Sequence, residues 1–110
     1  MYHGTHYRFL VAFAASNILL VLSLSANAQD QRQLYIKSLA ATCANCHGTD
    51  GKAVSGSAVV PLVGLSKDYL VTQMKAFKSG TRPATVMHQL SKGYSDTQIE
   101  QIAAYFAAQK

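Results

Sequence analysis

The residues with the clearest chemistry are two cysteines and a histidine in the run Cys43-Ala44-Asn45-Cys46-His47. Thiols three positions apart lie on the same side of a helical turn, where both could add to the two vinyl groups along one edge of a haem. The adjacent imidazole of His47 would then project beneath the ring as the proximal iron ligand, a role that neutral imidazole fills well. The spacing C-x-x-C-H is the pattern of covalent haem attachment. It predicts one haem, bonded through thioethers at Cys43 and Cys46.

Three other interpretations of the two cysteines carry less support. A redox-active C-x-x-C pair of the thioredoxin type would need a parallel sheet around the motif, and the chain shows no convincing strand–helix–strand pattern. A disulfide between Cys43 and Cys46 would close a very short loop and stabilise little. A zinc site would need a further Cys or His, and beyond His47 the chain offers only His88.

The iron of a haem electron carrier usually has a second axial ligand, which is commonly methionine. Met74 shares an apolar helical stripe with Leu70, which makes it a candidate for the core. Met87 lies 40 residues after His47 in an irregular connection and belongs to no stripe, so we favour it as the distal ligand. His88 is the competing candidate and cannot bind from the same side together with Met87. With both axial positions filled, iron has no open site for a substrate, which favours electron transfer over catalysis.

Two irregular connections separate the elements that must position these groups. They cover residues 48–65 and 80–94, and they hold six of the seven glycines and both prolines. A connection as long as the first, without its own structure, is uncommon unless it wraps something functional. A short helical turn is predicted near residues 84–92. Before the first connection, helical spacing over residues 31–42 predicts a helix that runs directly into the two cysteines.

Two further helices carry their own start signals, and no strand is predicted after residue 28. Ser66 is expected to cap a helix that extends to about Ser79 and ends at Gly80. Ser95 and Gln98 match a capping box before the most clearly amphipathic segment of the chain. The apolar side chains expected to pack around the haem or at the helix crossing are Leu39, Leu62, Leu65, Leu70, Phe77, Leu90, Ile99, Ile102 and Phe106.

The first 28 residues have the layout of a cleaved secretory signal peptide. Arg8 precedes an uncharged run over residues 9–24, and a small-x-small site ends at Ala28. A retained membrane anchor is the alternative, but this run of 16 residues is short for a span of about 20. We therefore predict a signal peptide over residues 1–28, a single domain over residues 29–110, periplasmic export, and no membrane span after cleavage.

The predicted exported domain is mildly basic. It carries nine Lys and Arg side chains against five Asp and Glu, which suits an acidic protein partner, although simple solubility would explain the same charge. The basic residues form no dense cluster, which argues against nucleic-acid binding. Candidates for a docking rim around an exposed haem edge are Lys52, Lys75, Lys78 and Lys92.

On these motifs the chain resembles the class I c-type cytochromes, which are all-α domains wrapped around one haem. The similarity is closest to the cytochrome subunits of flavocytochrome c sulfide dehydrogenases and to single halves of related dihaem cytochromes. It rests on blocks that cover nearly the whole predicted domain: residues 43–48, 64–70, 74–80, 82–87 and 93–96, followed by the last helix. The attachment motif is very specific for haem, and the later blocks are moderately specific for this subgroup.

The resemblance implies a small cytochrome c fold with three main helices around one covalently bound haem c. It places His47 as the proximal iron ligand and Met87 as the distal one. Arg82 falls where the subgroup often has an arginine before the ligand loop. There it would hold a haem propionate or the loop itself, unless it is simply a solvated cation.

One departure from the family concerns the support of the proximal histidine. The family usually has a proline whose backbone carbonyl accepts the Nδ1 proton of that histidine, which fixes the ring and increases its basicity. Pro61 is the candidate here, but it lies one residue closer to Gly64 than the family pattern predicts. The acceptor is therefore Pro61, Val60 or another carbonyl.

The expected function is that of a periplasmic monohaem cytochrome that carries single electrons and is not itself an enzyme. It would act either as a soluble carrier or as the electron-accepting subunit of a sulfide-oxidising flavoprotein complex. Its partner would be a redox protein, for which a flavoprotein subunit is one candidate. The alternative is a haem enzyme or gas sensor in which Met87 leaves the iron so that a small molecule can bind.

Overall fold

The computed structural model describes residues 27–110 and divides the chain into two compact units between Leu34 and Tyr35. Residues 27–41 are helical, and the part from residue 35 to residue 41 is called α1 here. All other elements belong to the unit Tyr35–Lys110. The predicted signal peptide, residues 1–28, lies almost entirely outside the described residues.

The second unit consists of helices joined by turns and irregular segments. After α1 come the following elements: α2 (Ala44–His47), a 3₁₀ turn (Thr49–Gly51), α3 (Lys67–Ser79), α4 (Met87–Leu90), a second 3₁₀ turn (Ser91–Gly93) and α5 (Asp96–Ala107). The described residues contain no strand, which confirms the all-α prediction. Among the described residues, α3 and α5 are helices that the sequence predicted. The helix predicted over residues 31–42 instead covers residues 27–41, and a turn at residues 42 and 43 separates it from α2.

The ends of α3 lie at the predicted residues. Ser66 has an extended backbone, and its hydroxyl accepts a hydrogen bond from the Tyr69 N–H at 3.3 Å. This bond satisfies one of the donors that the first helical turn leaves unpaired. At the other end, Gly80 adopts the left-handed conformation and its N–H donates to the Phe77 carbonyl. Helix α3 therefore begins and ends where local hydrogen bonding dictates.

The predicted capping box opens α5. The Ser95 hydroxyl accepts from the Gln98 N–H at 3.2 Å, and the Gln98 side-chain oxygen accepts from the Ser95 N–H at 2.9 Å. Asp96 follows in the first turn, where its negative charge suits the positive end of the helix dipole. The start of α5 is thus determined by four consecutive residues.

The hydrophobic core lies where α3 packs against α5. Of the predicted core residues, Leu70, Ile99, Ile102 and Phe106 are buried, while Leu39, Leu62 and Leu65 pack against the core at its edge. Phe77 is half-buried. Leu90, in contrast, is 51% exposed and takes no part in the polypeptide core.

Two small residues complete the core; both lie at helical spacings visible in the sequence, although they were not among the residues predicted to pack there. Ala40 of α1 and Ala103 of α5 are buried in the same cluster as Phe106. Cys43 packs against this cluster, so the attachment turn is anchored directly on the core. Within the described part of the chain, none of the helices combines the length and apolar character that crossing a bilayer would require.

Candidate haem-attachment site

Helix α2 winds the attachment motif into a single turn. Cys43 is its N-cap residue and His47 is its last residue. The N–H groups of Cys46 and His47 both donate to the Cys43 carbonyl, at 3.3 and 2.9 Å, so residues 43 and 46 lie on the same side of the turn. Both cysteines are free thiols. The turn therefore presents two thiols and an imidazole together, the donor set that covalent haem attachment needs.

The surroundings of Cys43 differ from those of a redox-active thiol. Burial raises the pKa of Cys43 above its ordinary value. A reactive C-x-x-C pair needs a thiol whose pKa is lowered. Cys43 therefore lacks the lowered pKa that activates the thiol of a redox-active pair. Among residues 27–110, no group of three or more His, Cys, Asp or Glu side chains could hold a metal ion such as zinc.

A hydrogen bond from the ring to the main chain orients His47. Its Nδ1 lies 2.7 Å from the Val60 carbonyl oxygen. A carbonyl can only accept, so the proton of the neutral ring is on Nδ1, and Nε2 carries the lone pair that could bind iron. Such a bond fixes the plane of the ring and makes Nε2 a stronger donor.

The acceptor is therefore Val60, one of the candidates that the sequence left open, and not Pro61. Val60 lies four residues before Gly64, one residue further from it than Pro61. Because the residue before a proline is restricted to extended conformations, Pro61 still contributes by limiting where the Val60 carbonyl can point.

Two glycines allow the chain after α2 to turn back, so that the Val60 carbonyl reaches His47. Gly48 ends α2 with φ 81° and ψ 159°, and a Cβ there would lie 2.1 Å from the Lys52 carbonyl oxygen, so no other residue fits. The Gly51 carbonyl then accepts from the N–H groups of Leu62 and Val63, at 2.9 and 3.2 Å. These two bonds close the intervening loop onto the turn that follows α2.

A second contact that sequence reasoning missed holds the same turn. Asp50 has φ 54°, a left-handed conformation that Asp tolerates better than most residues, and its carboxylate accepts a 2.5 Å hydrogen bond from the Tyr105 hydroxyl. Tyr105 lies in α5, 55 positions away. No local pattern connects two residues so far apart, so no signal in the sequence could have identified the pair.

Met87 is the first residue of α4, which packs against α3. The sequence predicted a helical turn near residues 84–92. In the structure, Met87 is the first residue of this turn and does not lie in an irregular loop. Met74 is half-buried in α3, as is Met87 in α4. The neighbouring His88 has a buried Nδ1 without a hydrogen-bond partner in the described part of the chain.

Arg82 makes non-covalent contacts with residues of α3 and is not a freely solvated cation. Its guanidinium carbon lies 4.6 Å above the centre of the Phe77 ring, a cation–π distance. The guanidinium also donates to the Gln73 side-chain oxygen, and the Arg82 N–H donates to the Ala76 carbonyl. Of the roles considered from the sequence, these contacts match that of holding the loop before Met87.

Two of the four lysines proposed for a docking rim form ion pairs with a carboxylate of this chain. Lys75 and Lys78 both approach the Asp96 carboxylate, at 3.9 and 2.8 Å. The hydrogen bond from Lys78 holds the pKa of Asp96 below its ordinary value. Lys52 and Lys92 are exposed. The positive charge available to a partner near α3 is therefore smaller than the sequence alone indicates.

Comparison with known proteins agrees with this architecture. The family model of cytochrome c matches residues 32–110. The cytochrome subunit of sulfide dehydrogenase from Chlorobaculum tepidum is 44% identical over 68 residues, which cover 62% of this chain and 60% of that protein. Cytochrome c-554(548) from Halomonas halodenitrificans is 40% identical over 73 residues, which cover 63% of this chain and 86% of that protein.

A third relative is more distant. The thiosulfate dehydrogenase electron acceptor of Stutzerimonas stutzeri is 30% identical over 93 residues, which cover 81% of this chain and 43% of that protein. The chain thus spans 60% or less of the two dehydrogenase-associated relatives.

The chain belongs to the cytochrome c family. Its cofactor is accordingly covalently bound haem c, the group with which cytochromes of this family transfer electrons.

Proposed function

We propose that this chain is a periplasmic monohaem electron carrier. Cys43 and Cys46 bond the haem, and His47 and Met87 ligate its iron. The observation that carries the proposal is the hydrogen bond from His47 Nδ1 to the Val60 carbonyl. It leaves Nε2 as the free ring donor on the same turn as two free thiols. Bound haem c supplies a couple between ferric and ferrous iron that moves one electron at a time.

Each residue of this site has a separate role. Cys43 and Cys46 fix the haem edge, and His47, held by the Val60 carbonyl, provides a strong nitrogen donor. The soft thioether of Met87 stabilises the reduced iron and raises its potential. With His47 and Met87 both bound to the iron, a substrate would find no vacant coordination position, so the haem would serve to transfer electrons rather than to bind a substrate.

Substitution of the two candidate methionines tests the ligation. Wild-type ferric protein should show the weak near-infrared band of an iron–thioether bond. Met87→Leu should abolish this band and lower the reduction potential, because a soft donor to reduced iron is lost. Met74→Leu is the matched control and should keep both the band and the potential. The opposite result, with the band lost only in Met74→Leu, would show that the assignment is wrong.

Export is the second part of the proposal. Residues 1–28 act as a signal peptide, and the mature domain covers residues 29–110. Support comes from the uncharged run over residues 9–24 and the small-x-small site that ends at Ala28. Intact mass of the exported protein should correspond to a chain that begins at Gln29 plus one haem. A mass that retains the first 28 residues would contradict cleavage.

The partner we propose is a redox protein, and a flavoprotein subunit of a sulfide-oxidising complex is the first candidate. The proposal is supported by the relative that is named as the cytochrome subunit of sulfide dehydrogenase. Affinity purification from the native cell should recover a flavin-containing partner in stoichiometric amount. Recovery of the cytochrome alone, active with several donors, would instead indicate a soluble carrier.

The haem is also expected to complete the fold. The buried hydrophobic residues in the described chain are few: Ala40, Leu70, Ile99, Ile102, Ala103 and Phe106. A domain of this size usually needs a further source of stability. The double variant Cys43→Ala/Cys46→Ala should therefore lack most helical circular dichroism. Native-like helicity in that variant would contradict this role of the haem.

A further inference from the structure

Tyr94 joins two distant segments of the chain. It follows the second 3₁₀ turn, is half-buried, and packs against the hydrophobic core. Its carbonyl accepts a 2.8 Å hydrogen bond from the Lys78 ammonium. Its hydroxyl lies 2.6 Å from the Thr42 hydroxyl, 52 positions earlier in the chain. Tyr94 thus connects the residue immediately before Cys43 with the segment that follows α4.

The direction of the hydrogen bond between Tyr94 and Thr42 follows from a third group. The Thr42 hydroxyl lies 2.7 Å from the Leu39 carbonyl, which can only accept. Thr42 has one hydroxyl proton and gives it to Leu39, so the Tyr94 hydroxyl must donate to Thr42. Consecutive bonds of this kind polarise and strengthen one another. After thioether formation, Cys43 has no S–H, so its sulfur cannot replace Tyr94 as a donor to Thr42.

Tyr94 is also connected to the segment that carries Met87. Helix α4 starts at Met87 and runs without interruption into the turn Ser91–Gly93. The Tyr94 N–H donates to the Ser91 carbonyl at 3.3 Å, and Ser91 is 0% exposed. Because Tyr94 is bonded to this segment, a displacement of residues 87–93 would also move Tyr94 and break its hydrogen bond with Thr42.

We propose that Tyr94 is a positioning residue for the pair of axial ligands. Its hydroxyl holds the segment of Met87 at a fixed position relative to the attachment turn, which raises the cost of moving Met87 off the iron. This inference rests on the proposed ligation by Met87. Removal of one such hydrogen bond should make displacement of Met87 about three- to tenfold easier.

Competition by imidazole measures that displacement. Ferric holoprotein is titrated with free imidazole, and loss of the near-infrared thioether band gives an apparent Kd. Tyr94→Phe keeps the ring and its packing but removes the donor, so the Kd should fall about three- to tenfold. Thr42→Val should lower the Kd by a similar factor. Because both changes remove the same hydrogen bond, the double variant Tyr94→Phe/Thr42→Val should have the same Kd as either single variant. Thr42→Ser keeps the hydroxyl and should retain the wild-type Kd.

Tyr35→Phe is the matched control. The Tyr35 hydroxyl accepts a 2.9 Å hydrogen bond from the Gln98 side-chain amide, which links α1 to α5 away from the attachment turn. This variant should be less resistant to urea but keep the wild-type Kd for imidazole. An equal change of Kd in Tyr35→Phe would mean that general loosening explains the effect, which overturns the role of Tyr94.

The experiment separates failure of the inference from failure of the proposed function. If the wild type shows the thioether band and Tyr94→Phe has an unchanged Kd, Met87 ligation stands and the positioning role is wrong. If the wild type has no such band, the ligation is wrong and the positioning role falls with it.

Discussion

Gly51 occupies a point where three segments of the domain meet. It is buried with φ 75°, and its carbonyl accepts the two hydrogen bonds that close the loop behind His47. A Cβ at this position would lie 2.9 Å from the Leu62 Cβ and 2.9 Å from Phe106 Cδ1. Carbon atoms pack best at about 3.5–4.0 Å. Gly51→Ala should therefore strain both the backbone and the core.

The expected loss of stability has two components. A left-handed backbone costs a residue with a Cβ about 1–2 kcal/mol, and overpacking of a core costs about 1–3 kcal/mol. The free energy of unfolding should accordingly fall by about 2–5 kcal/mol, a large part of the roughly 5–15 kcal/mol that holds a domain folded. Gly56→Ala isolates the first component, because Gly56 has φ 83° with no heavy atom within 4 Å of the added Cβ.

Urea denaturation of the two holoprotein variants, followed by far-ultraviolet circular dichroism, measures the difference. Gly51→Ala should be less stable than Gly56→Ala by the packing component alone, about 1–3 kcal/mol. Equal stabilities would refute the reasoning, because the contacts with Leu62 and Phe106 would then have no energetic consequence.

Three further variants test the contacts around α5. The hydrogen bond to Asp50 raises the pKa of Tyr105 above 10.0, so its stabilisation is complete below that pH and is lost as pH rises through the raised pKa. Tyr105→Phe should thus lower Tm at neutral pH and reduce the alkaline decline in Tm. Lys78 lowers the pKa of Asp96 below 3.8. Asp96→Asn should lower Tm at pH 7, and this difference should close as pH falls through the lowered pKa. Ser95→Ala should lower the free energy of unfolding by about 1 kcal/mol, measured by urea denaturation.

For each of these variants, one result would contradict the prediction. An alkaline decline of unchanged size in Tyr105→Phe would mean that its bond to Asp50 does not couple to folding. For Asp96→Asn, a Tm difference that persists undiminished in strong acid would exclude its ion pairs as the cause. Ser95→Ala should leave the haem spectrum unchanged, and a shifted spectrum would mean that the cap also supports the site.

The helix ends could be predicted because the bonds that create them are local. Ser66 and Ser95 each cap an N–H three residues ahead, and Gly80 closes the turn directly behind it. The donors and acceptors in such motifs are a few positions apart, so their spacing is visible in the sequence. The attachment turn is local in the same sense, since Cys43 and His47 lie within one turn of helix.

The contacts that hold the site together are not local, and this is why they were missed. Thr42 and Tyr94 are 52 positions apart, and Asp50 and Tyr105 are 55 apart. Neither pair repeats with a helical period, and only the path of the intervening chain brings the partners together. The pairing of two lysines with Asp96 was missed for the same reason, because α3 and α5 must first pack.

The acceptor for His47 is a main-chain atom, which has a consequence for how this site tolerates mutation. Every amino acid carries a backbone carbonyl, so no side-chain substitution at Val60 can delete the bond that orients the imidazole. What would remove it is a change in chain length between His47 and Gly64, or a change of path where Pro61 restricts the backbone. Side-chain substitutions at Val60 should therefore tune the site in small steps, whereas a single residue inserted into or deleted from this loop should disrupt it.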